Sequence, residues 1–505
     1  SLDRPEVAML RLRMLLAVLV AMMVSVSTIG PAGASSPGET FRNPIKLGAA
    51  DPQIVYAGGY YYLTYTQGDV ITLTRATSIK GLATATPVKV WDGSSGAAMG
   101  ACCDIWAPEL HQIGGRWYIY YTADAASGDF GSHNMYVLQS AGSDPLGSYT
   151  NHQLTSDGAF SIDGTVLQQP NGSLYLIWSR IPPGDPNNEQ DIVIAPMSDP
   201  LTVSGGFATL SRPTNTWEQD RGWVNEGPTV LQHGGKTFIV FSVSGCASPN
   251  YGLASLTLTG SNVMNPAAWT KSSSQIFSRA DANWVYGPGH NSFFTSPDGT
   301  EVWNVYHAVG NSAGSCGGDR SARVQRVNFA ADGTPDLGVP AATWQSLALP
   351  SGDPGLPTVP TGTYRLTPQN DTGKALDVGG CVTTDNATVD TYKYWGGDCQ
   401  KWNVTPATGG AYKITAVNSG LALEVLGCNP ARASQVDIYP YRAGDGCQQW
   451  YLDPVGDGSY RISQQSTGQA LDVAGCTTND VNAVDIWPYW ATGYGTCQQW
   501  RLDPV

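Results

Sequence analysis

Ionisable side chains recur at one place in five segments of this 505-residue chain. In each segment an acid or a histidine lies a few residues ahead of a glycine-containing turn, and an aromatic-rich strand follows the turn. The five residues are Asp51, Glu109, Asp163, Glu226 and His290. Only 13% of all residues are charged, and an unpaired ionised carboxylate is costly to bury. Several acids at matching places therefore indicate a site.

Carboxylates that converge in an aromatic-lined cleft are the groups that hydrolyse glycosidic bonds. One carboxyl must hold a proton for the leaving oxygen, so its pKa has to be raised by apolar surroundings or by a neighbouring carboxylate. The other must be ionised to activate water. Each residue also has a structural interpretation. Asp51 and Asp163 could form turns, Glu226 could belong to a structural ion pair, and His290 could be a hydrogen-bonded core histidine.

The elements that must position these residues are five similar turn-and-strand units. Their sequences are GGYYYLTYT, GGRWYIYYT, NGSLYLIWS, GGKTFIVFS and DGTEVWNVYH. A glycine turn with period-2 alternation is a hairpin signal, and the units follow one another at intervals of 55 to 65 residues. We therefore predict an all-β fold with a five-bladed β-propeller over residues 35–350. A β-sandwich is the alternative. In a propeller, the five ionisable residues would meet at one end of the central channel.

A second repeat fills the C-terminal third. ALDVGGC, ALEVLGC and ALDVAGC begin at residues 375, 422 and 470, and CQKW, CQQW and CQQW end at Trp402, Trp450 and Trp500. Three short units cannot bury a core singly, so they should close around a pseudo-threefold axis. The Pro- and Gly-rich residues 351–362 are predicted to be a linker, and residues 363–505 a second domain.

The chain has ten cysteines, which in an exported protein indicate disulfides. The shared spacing of the C-terminal repeat favours the pairs Cys381–Cys399, Cys428–Cys447 and Cys476–Cys497. For the other four we expect a vicinal Cys102–Cys103 bridge and a Cys246–Cys316 bridge. The alternative is that both vicinal cysteines bond to the other two.

Residues 41–345 resemble glycoside hydrolase family 43 through ADPQIVYAGGYYYLTY, DIWAPELHQIGGRWYIYYTA, SIDGTVL, NEGPTVL and YGPGHNSFF. The resemblance implies an inverting enzyme that needs no cofactor for its chemistry. By motif, Asp51 would be the general base and Glu226 the general acid. Asp163 would orient that acid and tune its pKa. The family gives Glu109 no chemical role.

The same resemblance implies three substrate-binding residues. Trp106 matches an aromatic of the subsite wall, and Arg320 matches an arginine near the sugar hydroxyls. His290 matches a channel histidine that contacts substrate or lies near a bound calcium ion. A structural Ca²⁺ in the propeller channel is therefore a further expectation.

Residues 361–505 resemble ricin-B-type β-trefoil lectins, also known as a carbohydrate-binding module, through the three Q-x-W signatures. The resemblance implies an acid, an aromatic and a polar residue for sugar in each repeat. They are Asp377, Tyr392 and Gln400; Glu424, Tyr439 and Gln448; and Asp472, Trp487 and Gln498. A cysteine replaces the usual Asn before each Gln, and the second repeat has Glu for Asp. The alternative is a trefoil that keeps only the residues for folding.

The N-terminus predicts export. A basic stretch, an apolar core and the small-residue site Ala32-Gly33-Ala34 are typical of a secretory signal peptide. Residues 1–34 are thus expected to be that signal with upstream residues, and a membrane anchor is the alternative. The net charge of −14 argues against nucleic acid or an anionic membrane as partner. We expect a secreted, extracellular monomer with no membrane association after cleavage.

The activity expected from the family's commonest function is that of an α-L-arabinofuranosidase. Its partner would be a plant cell-wall polysaccharide, namely arabinan, arabinoxylan or arabinogalactan, and the trefoil would hold the enzyme on polymer. β-Xylosidase and exo-β-1,3-galactanase activities are alternatives, although the galactanases of the family that carry a trefoil lack the base that Asp51 would supply. A carbohydrate-binding protein that no longer hydrolyses is a further alternative.

Overall fold

The computed structural model describes residues 39–491 and 495–505. The predicted signal peptide lies outside these residues. Within them, regular structure is almost entirely β-strand, and every helical segment is a short 3₁₀ turn of three to seven residues. Among the described residues no helix has the length and hydropathy needed to cross a membrane.

Five antiparallel sheets form the N-terminal body, and the first strands of neighbouring sheets contact one another around a central channel. Blade one comprises Ala50–Ala57, Tyr60–Thr66, Val70–Ala76 and Val88–Asp92. Blade two comprises Cys103–Ile113, Arg116–Asp124, Asn134–Ser140 and Tyr149–Gln153. Blade three comprises Ser161–Gln168, Leu174–Arg180, Asp191–Asp199, Thr202–Val203 and Ala208–Ser211. Blade four comprises Asn225–His233, Lys236–Val243, Gly252–Leu258 and Trp269–Lys271, and blade five comprises Tyr286–Thr295, Val302–Val309 and Ser321–Arg326. The five-bladed propeller is confirmed, and the β-sandwich is wrong.

The segment that precedes blade one closes the ring. Lys46 forms an antiparallel bridge with Ala322 in the outermost strand of blade five. Farther upstream, Thr40–Phe41 pairs with Leu347–Ala348. Backbone bonds between the two ends of a propeller protect strands that would otherwise be open edges.

The C-terminal body is one sheet of twelve strands. The strands are Gly362–Pro368, Lys374–Val378, Ala387–Lys393, Trp402–Pro406, Tyr412–Ala416, Ala422–Val425, Ser434–Tyr439, Trp450–Gly456, Ser459–Gln464, Ala470–Val473, Asn482–Trp487 and Trp500–Pro504. Trp402, Trp450 and Trp500 are fully buried at its centre. Each indole N–H donates to a backbone carbonyl of its own repeat, at 2.9–3.0 Å. This threefold core confirms the β-trefoil and gives the Q-x-W tryptophans a structural role.

The two bodies pack against each other around a buried ionic cluster. Arg42 of the propeller segment pairs with Asp453 of the trefoil at 2.6 Å. Arg461 contacts the same carboxylate at 3.3 Å and donates to the backbone oxygens of Arg42 and Asn43. Burial opposes the charge of Asp453, but the two arginines and Lys80 outweigh it and lower its pKa to about 2. The trefoil is therefore held against the propeller by these buried contacts and is not connected to it by the linker alone.

The predicted cysteine pairing is confirmed. The bridges are Cys102–Cys103, Cys246–Cys316, Cys381–Cys399, Cys428–Cys447 and Cys476–Cys497. The alternative, in which the vicinal cysteines bond to the other two, is wrong.

Candidate active site

A β-bulge near the start of each innermost strand shapes the mouth of the channel. The bulges fall between Ala50 and Gln53, Trp106 and Glu109, Ile162 and Thr165, Glu226 and Thr229, and Gly289 and Ser292. In each bulge, the residue that directly follows the first of the two bounding residues has a left-handed backbone. These residues are Asp51, Ala107, Asp163, Gly227 and His290, with φ of 53°, 43°, 61°, 54° and 46°. Bulges re-aim side chains and are frequent beside active sites. Here they turn one position of every blade toward the channel mouth.

This register corrects the predicted equivalence of the ionisable residues. Asp51, Asp163 and His290 do occupy matching positions, but Glu226 comes one residue before the matching Gly227. Glu109 comes two residues after the matching position of blade two, where it pairs with His111 at 2.8 Å and lines a separate cavity of about 260 Å³ inside the channel. The spacing between acid and turn predicts a common position because the sequence does not reveal the bulge.

Asp51 is buried and surrounded by donors. Its Oδ1 accepts from Arg320 at 2.8 Å, and its Oδ2 accepts from the Thr66 hydroxyl at 2.7 Å. Burial alone would raise its pKa, but Arg320, His290 and His307 outweigh burial and hold the pKa well below the ordinary value. Asp51 is thus a carboxylate at neutral pH, the form that a general base requires.

Glu226 has the opposite environment. Its Oε1 accepts a hydrogen bond from the buried Tyr251 hydroxyl at 2.9 Å. Burial raises the pKa of Glu226 to about 7, helped by the negative charge of Asp51 and opposed by Tyr251 and Arg320. A carboxyl with this pKa holds a proton at mildly acidic pH, as a general acid must.

Asp163 interacts with both Glu226 and Asp51. Its Oδ2 accepts from the backbone N–H of Gly227, next to Glu226, at 3.0 Å. Burial, the charge of Glu226 and that of Asp51 raise the pKa of Asp163 well above the ordinary value. Since the carboxyls of Asp163 and Glu226 titrate as an interacting pair, this pair retains a proton near neutral pH.

His290 and His307 flank Asp51. The ring Nδ1 of each lies 3.3 Å from Asp51 Oδ1. His307 Nδ1 also accepts the backbone N–H of Asp51 at 3.1 Å, and burial lowers the pKa of His307 to about 4. His307 is therefore neutral and fixes the backbone of the bulge.

A calcium ion near His290 stays a prediction. Calcium prefers oxygen ligands, whereas His290 offers a ring nitrogen next to Asp51 Oδ1. Arg320 already donates to that oxygen, and its positive charge opposes a second cation there. The residues around His290 therefore fit a calcium ion poorly.

Trp106 forms part of an aromatic wall on blade two. Its ring stacks on His133 at 3.9 Å between centroids, and Phe130 lies 5.3 Å away. Phe130 is 52% exposed, so this wall has a free apolar face. Such faces suit the C–H groups of a sugar.

Arg320 is brought to the site by a loop that the Cys246–Cys316 bridge ties to blade four. Its Nε donates to the backbone oxygen of Gly317 at 3.1 Å, which sets the guanidinium against Asp51. The next residue, Ser321, donates to the trefoil backbone at Ala491. The loop is therefore held on both sides.

Sequence reasoning missed Tyr251, His307 and Thr66. Tyr251 stacks parallel to His307 with ring centroids 5.6 Å apart, so one buried layer supports both Glu226 and Asp51. Thr66 also accepts the backbone N–H of Ala107 at 2.9 Å, which joins blades one and two. No local motif identifies Tyr251 or His307. Thr66 could have been found as the end of the strand paired with the one that carries Asp51.

The predicted sugar-binding residues of the trefoil share one arrangement. In each repeat the acid lies opposite a second acid on the paired strand: Asp377 with Asp390, Glu424 with Asp437, and Asp472 with Asp485. The second acids were missed, although VD precedes the aromatic in every repeat. Gln400, Gln448 and Gln498 are fully buried, and their side-chain amides hydrogen-bond to backbone groups of the loop that precedes each of them.

The three repeats differ at their surfaces. In the first, Tyr392 is 38% exposed, and burial together with Asp390 raises the pKa of Asp377 to about 7. In the second, Arg442 pairs with Glu424 at 2.8 Å and covers the Tyr439 ring at 4.9 Å.

In the third repeat the aromatic faces the propeller. Trp487 lies 6.4 Å from Trp284 of the propeller, between ring centroids. Burial, followed by the charge of Asp485, raises the pKa of Asp472 to about 8. The first repeat therefore has the most open predicted site.

Known protein families match both the propeller and the trefoil. Residues 41–335 match the model of glycosyl hydrolases family 43, and three overlapping stretches, 340–439, 398–487 and 446–505, match the ricin-type beta-trefoil lectin domain-like family. An extracellular exo-alpha-(1->5)-L-arabinofuranosidase of Streptomyces avermitilis is 41% identical over 348 residues, which cover 66% of this chain and 71% of that protein. Alpha-L-arabinofuranosidase 43 of Humicola insolens is 38% identical, over 61% of this chain and 65% of that protein.

Solved structures resemble the propeller. The alpha-L-arabinofuranosidase from Lactobacillus brevis superposes with a TM-score of 0.56 at 32% identity and covers 60% of this chain and 98% of its own. These matches agree with the order of the motifs and with the convergence of three acids at one channel mouth. The chain belongs to glycosyl hydrolases family 43 and carries a C-terminal ricin-type β-trefoil domain.

Proposed function

We propose that the chain is an extracellular, inverting α-L-arabinofuranosidase that removes terminal L-arabinofuranose from arabinan or arabinoxylan. The names of relatives at 34–41% identity support this substrate. Two of those names include the word extracellular, which supports secretion. A monomeric state stays a prediction.

The observation that carries the proposal is the opposite protonation of two carboxyls at one channel mouth. Asp51 is ionised beside Arg320, while Glu226 has a pKa of about 7 beside Tyr251. Asp51 would activate water, and Glu226 would protonate the leaving oxygen. Asp163, bonded to the Gly227 N–H, would orient Glu226 and keep its pKa high.

The test compares Glu226→Gln with Asp51→Asn on two substrates. A nitrophenyl α-L-arabinofuranoside has a leaving group that needs little protonation, whereas arabinan needs full protonation. Glu226→Gln should therefore lose about 10²–10⁴-fold in kcat/KM on arabinan and much less on the aryl substrate. Asp51→Asn should lose heavily on both.

Glu301→Gln is the control, because Glu301 lies next to the hairpin turn of blade five, where it pairs with Arg326 at 3.1 Å. It should keep most activity. Equal losses for Glu226→Gln on both substrates would contradict its role as acid. NMR of the first product should show inversion at the anomeric carbon. Wild-type turnover of aryl xyloside or β-1,3-galactan, without turnover of arabinofuranoside, would replace the proposed substrate.

A further inference from the structure

Arg323 is a buried cation on the outermost strand of blade five. Its side chain is fully buried, and none of its three guanidinium nitrogens has a hydrogen-bond partner among residues 39–491 and 495–505. The side chains that act on its charge are Tyr306 and Arg461. Burial raises the pKa of Tyr306 above its ordinary value, so this phenol is uncharged at neutral pH, and Arg461 is a cation. Neither residue supplies the negative charge that Arg323 lacks.

Arg323 cannot lose its charge by releasing a proton. Burial first, and then the charge of Arg461, lower the pKa of Arg323, but a guanidinium stays protonated in proteins. A buried ion needs an opposite charge and hydrogen bonds in place of the water that it gives up. Buried carboxyls such as Glu226 can hold a proton instead, whereas Arg323 has no neutral form to adopt. The arrangement therefore calls for a negative charge.

The Arg323 side chain lies on the face of blade five that is covered by residues 337–344. Tyr306 is the direct cross-strand partner of Arg323, and such partners share a face of the sheet. Gln325 shares this face as well and donates to the backbone of the covering segment at 2.6 and 3.2 Å. Arg461 of the trefoil donates to the backbone of the same segment at 3.2 Å. Arg323 therefore lies where blade five, the covering segment and the trefoil meet.

The ion-pair network that joins the two bodies does not neutralise Arg323. The network consists of the cations Arg42, Lys80 and Arg461 and the anions Glu39 and Asp453. It has three positive charges and two negative ones, so it is itself short of negative charge. Arg461 Nε likewise has no hydrogen-bond partner in the described part of the chain. An anion beside Arg323 would thus be attracted by both guanidinium groups.

The unpartnered atoms identify the kind of ion. All of them are N–H donors, so they select an anion over a metal ion. A water molecule would accept their hydrogen bonds but would supply no charge. A halide ion accepts hydrogen bonds from any direction, whereas each oxygen of a larger oxyanion would need a donor of its own in a buried place. Guanidinium is weakly hydrated, and a halide ion also gives up its water more readily than a multivalent anion.

We propose that Arg323 binds a chloride ion beside Arg461, at the junction of the propeller and the trefoil. The ion takes no part in bond cleavage. It would compensate the charge of Arg323 and hold the covering segment and the trefoil against blade five.

The experiment measures the melting temperature of the full chain while chloride replaces gluconate at constant ionic strength. Gluconate is too large for an enclosed site, so it maintains the ionic strength without binding there. Wild type should gain about 2–4 °C at saturating chloride, and bromide should act in the same way. Arg323→Met removes the charge but keeps a long apolar side chain, and it should abolish the gain.

Bromide-soaked crystals of wild type give a second readout that does not depend on the folding of Arg323→Met. An anomalous peak should lie within hydrogen-bond distance of the Arg323 guanidinium. Soaked crystals without a peak at this place would contradict the proposal.

Arg180→Met is the matched control. Arg180 is also buried, but its guanidinium pairs with Asp157 at 2.8 Å, so this variant should keep the chloride response. The proposal is overturned if the melting temperature of wild type does not depend on chloride, which would mean that bound water satisfies Arg323. An undiminished gain in Arg323→Met, an equal loss of the gain in Arg180→Met, or a gain with sulfate but not with halide also overturns it. These readouts do not use activity, so they stand apart from the proposed function.

Discussion

Two carboxyls a short distance apart acquire opposite protonation states because their neighbours differ. Asp51 is bonded by Arg320 and Thr66, so its ionised form is stabilised despite burial. Glu226 has a single hydroxyl donor, Tyr251, which offsets only part of the cost of burial. Residue identity alone therefore does not distinguish base from acid.

Tyr251→Phe tests this balance. The Tyr251 hydroxyl stabilises ionised Glu226 and lowers its pKa, so its removal should raise that pKa further. Since the acid must be protonated, the alkaline limb of the pH profile of kcat/KM should move to higher pH, by up to about one unit.

Tyr306→Phe is the control for this change. Tyr306 is equally buried, but its hydroxyl donates to Gln325 at 3.1 Å, away from the channel mouth. The limb should stay in place in this variant. A downward or absent shift in Tyr251→Phe would contradict the assigned hydrogen bond.

At the scale of elements, the bulge is the device that builds the site. A regular strand would alternate side chains between its two faces, whereas the bulge adds a residue and turns one side chain toward the channel mouth. In blade four the bulge residue is Gly227, and a Cβ there would lie 3.1 Å from the His290 ring. Because glycine has no Cβ, the His290 ring can pack against Gly227, whose backbone N–H donates to Asp163.

Gly227→Ala should lower kcat/KM at least about tenfold, since the His290 ring and the backbone next to Glu226 must move. Gly234→Ala, on the same hairpin, is the matched control: its φ is 56°, close to the 54° of Gly227, but nothing lies within 4 Å of its Cβ. Both variants pay about 1–2 kcal/mol for a left-handed alanine. Equal losses of activity at equal stability would show that backbone strain, not the contact with His290, is responsible.

At the scale of the whole molecule, packing makes three similar repeats unequal. In the third repeat, Trp284 of the propeller lies against Trp487. In the second repeat, Arg442 forms an ion pair with Glu424. In the first repeat Tyr392 stays 38% exposed. Polysaccharide binding by the trefoil should therefore rest mainly on the first repeat.

Pull-down on insoluble arabinoxylan tests this expectation in a catalytically silent Glu226→Gln background. Tyr392→Ala should weaken binding about tenfold, as expected when an aromatic platform is lost. Tyr439→Ala, the same position in the second repeat, should change binding little. Equal effects of the two substitutions would mean that Arg442 does not block the second site. If neither substitution weakened binding, the alternative of a trefoil that keeps only the residues for folding would be favoured.

The sequence by itself determined the elements and the three disulfides of the C-terminal repeat. Period-2 strands after glycine turns specify hairpins locally, and five of them imply a ring. The Q-x-W tryptophans and repeated cysteine spacings specify three units, because each unit must bury the same core. The family motifs also located Asp51, Asp163 and Glu226.

Only the tertiary structure decided what surrounds these acids. Tyr251, His307 and Arg320 reach the site from strands and loops far along the chain, and their effect on protonation depends on distances that spacing does not encode. The bulge moved Glu226 one residue away from its expected match. Likewise, Trp487 looks like Tyr392 in sequence but faces the propeller. Local pattern fixes which strands form, whereas charge and exposure depend on which surfaces meet.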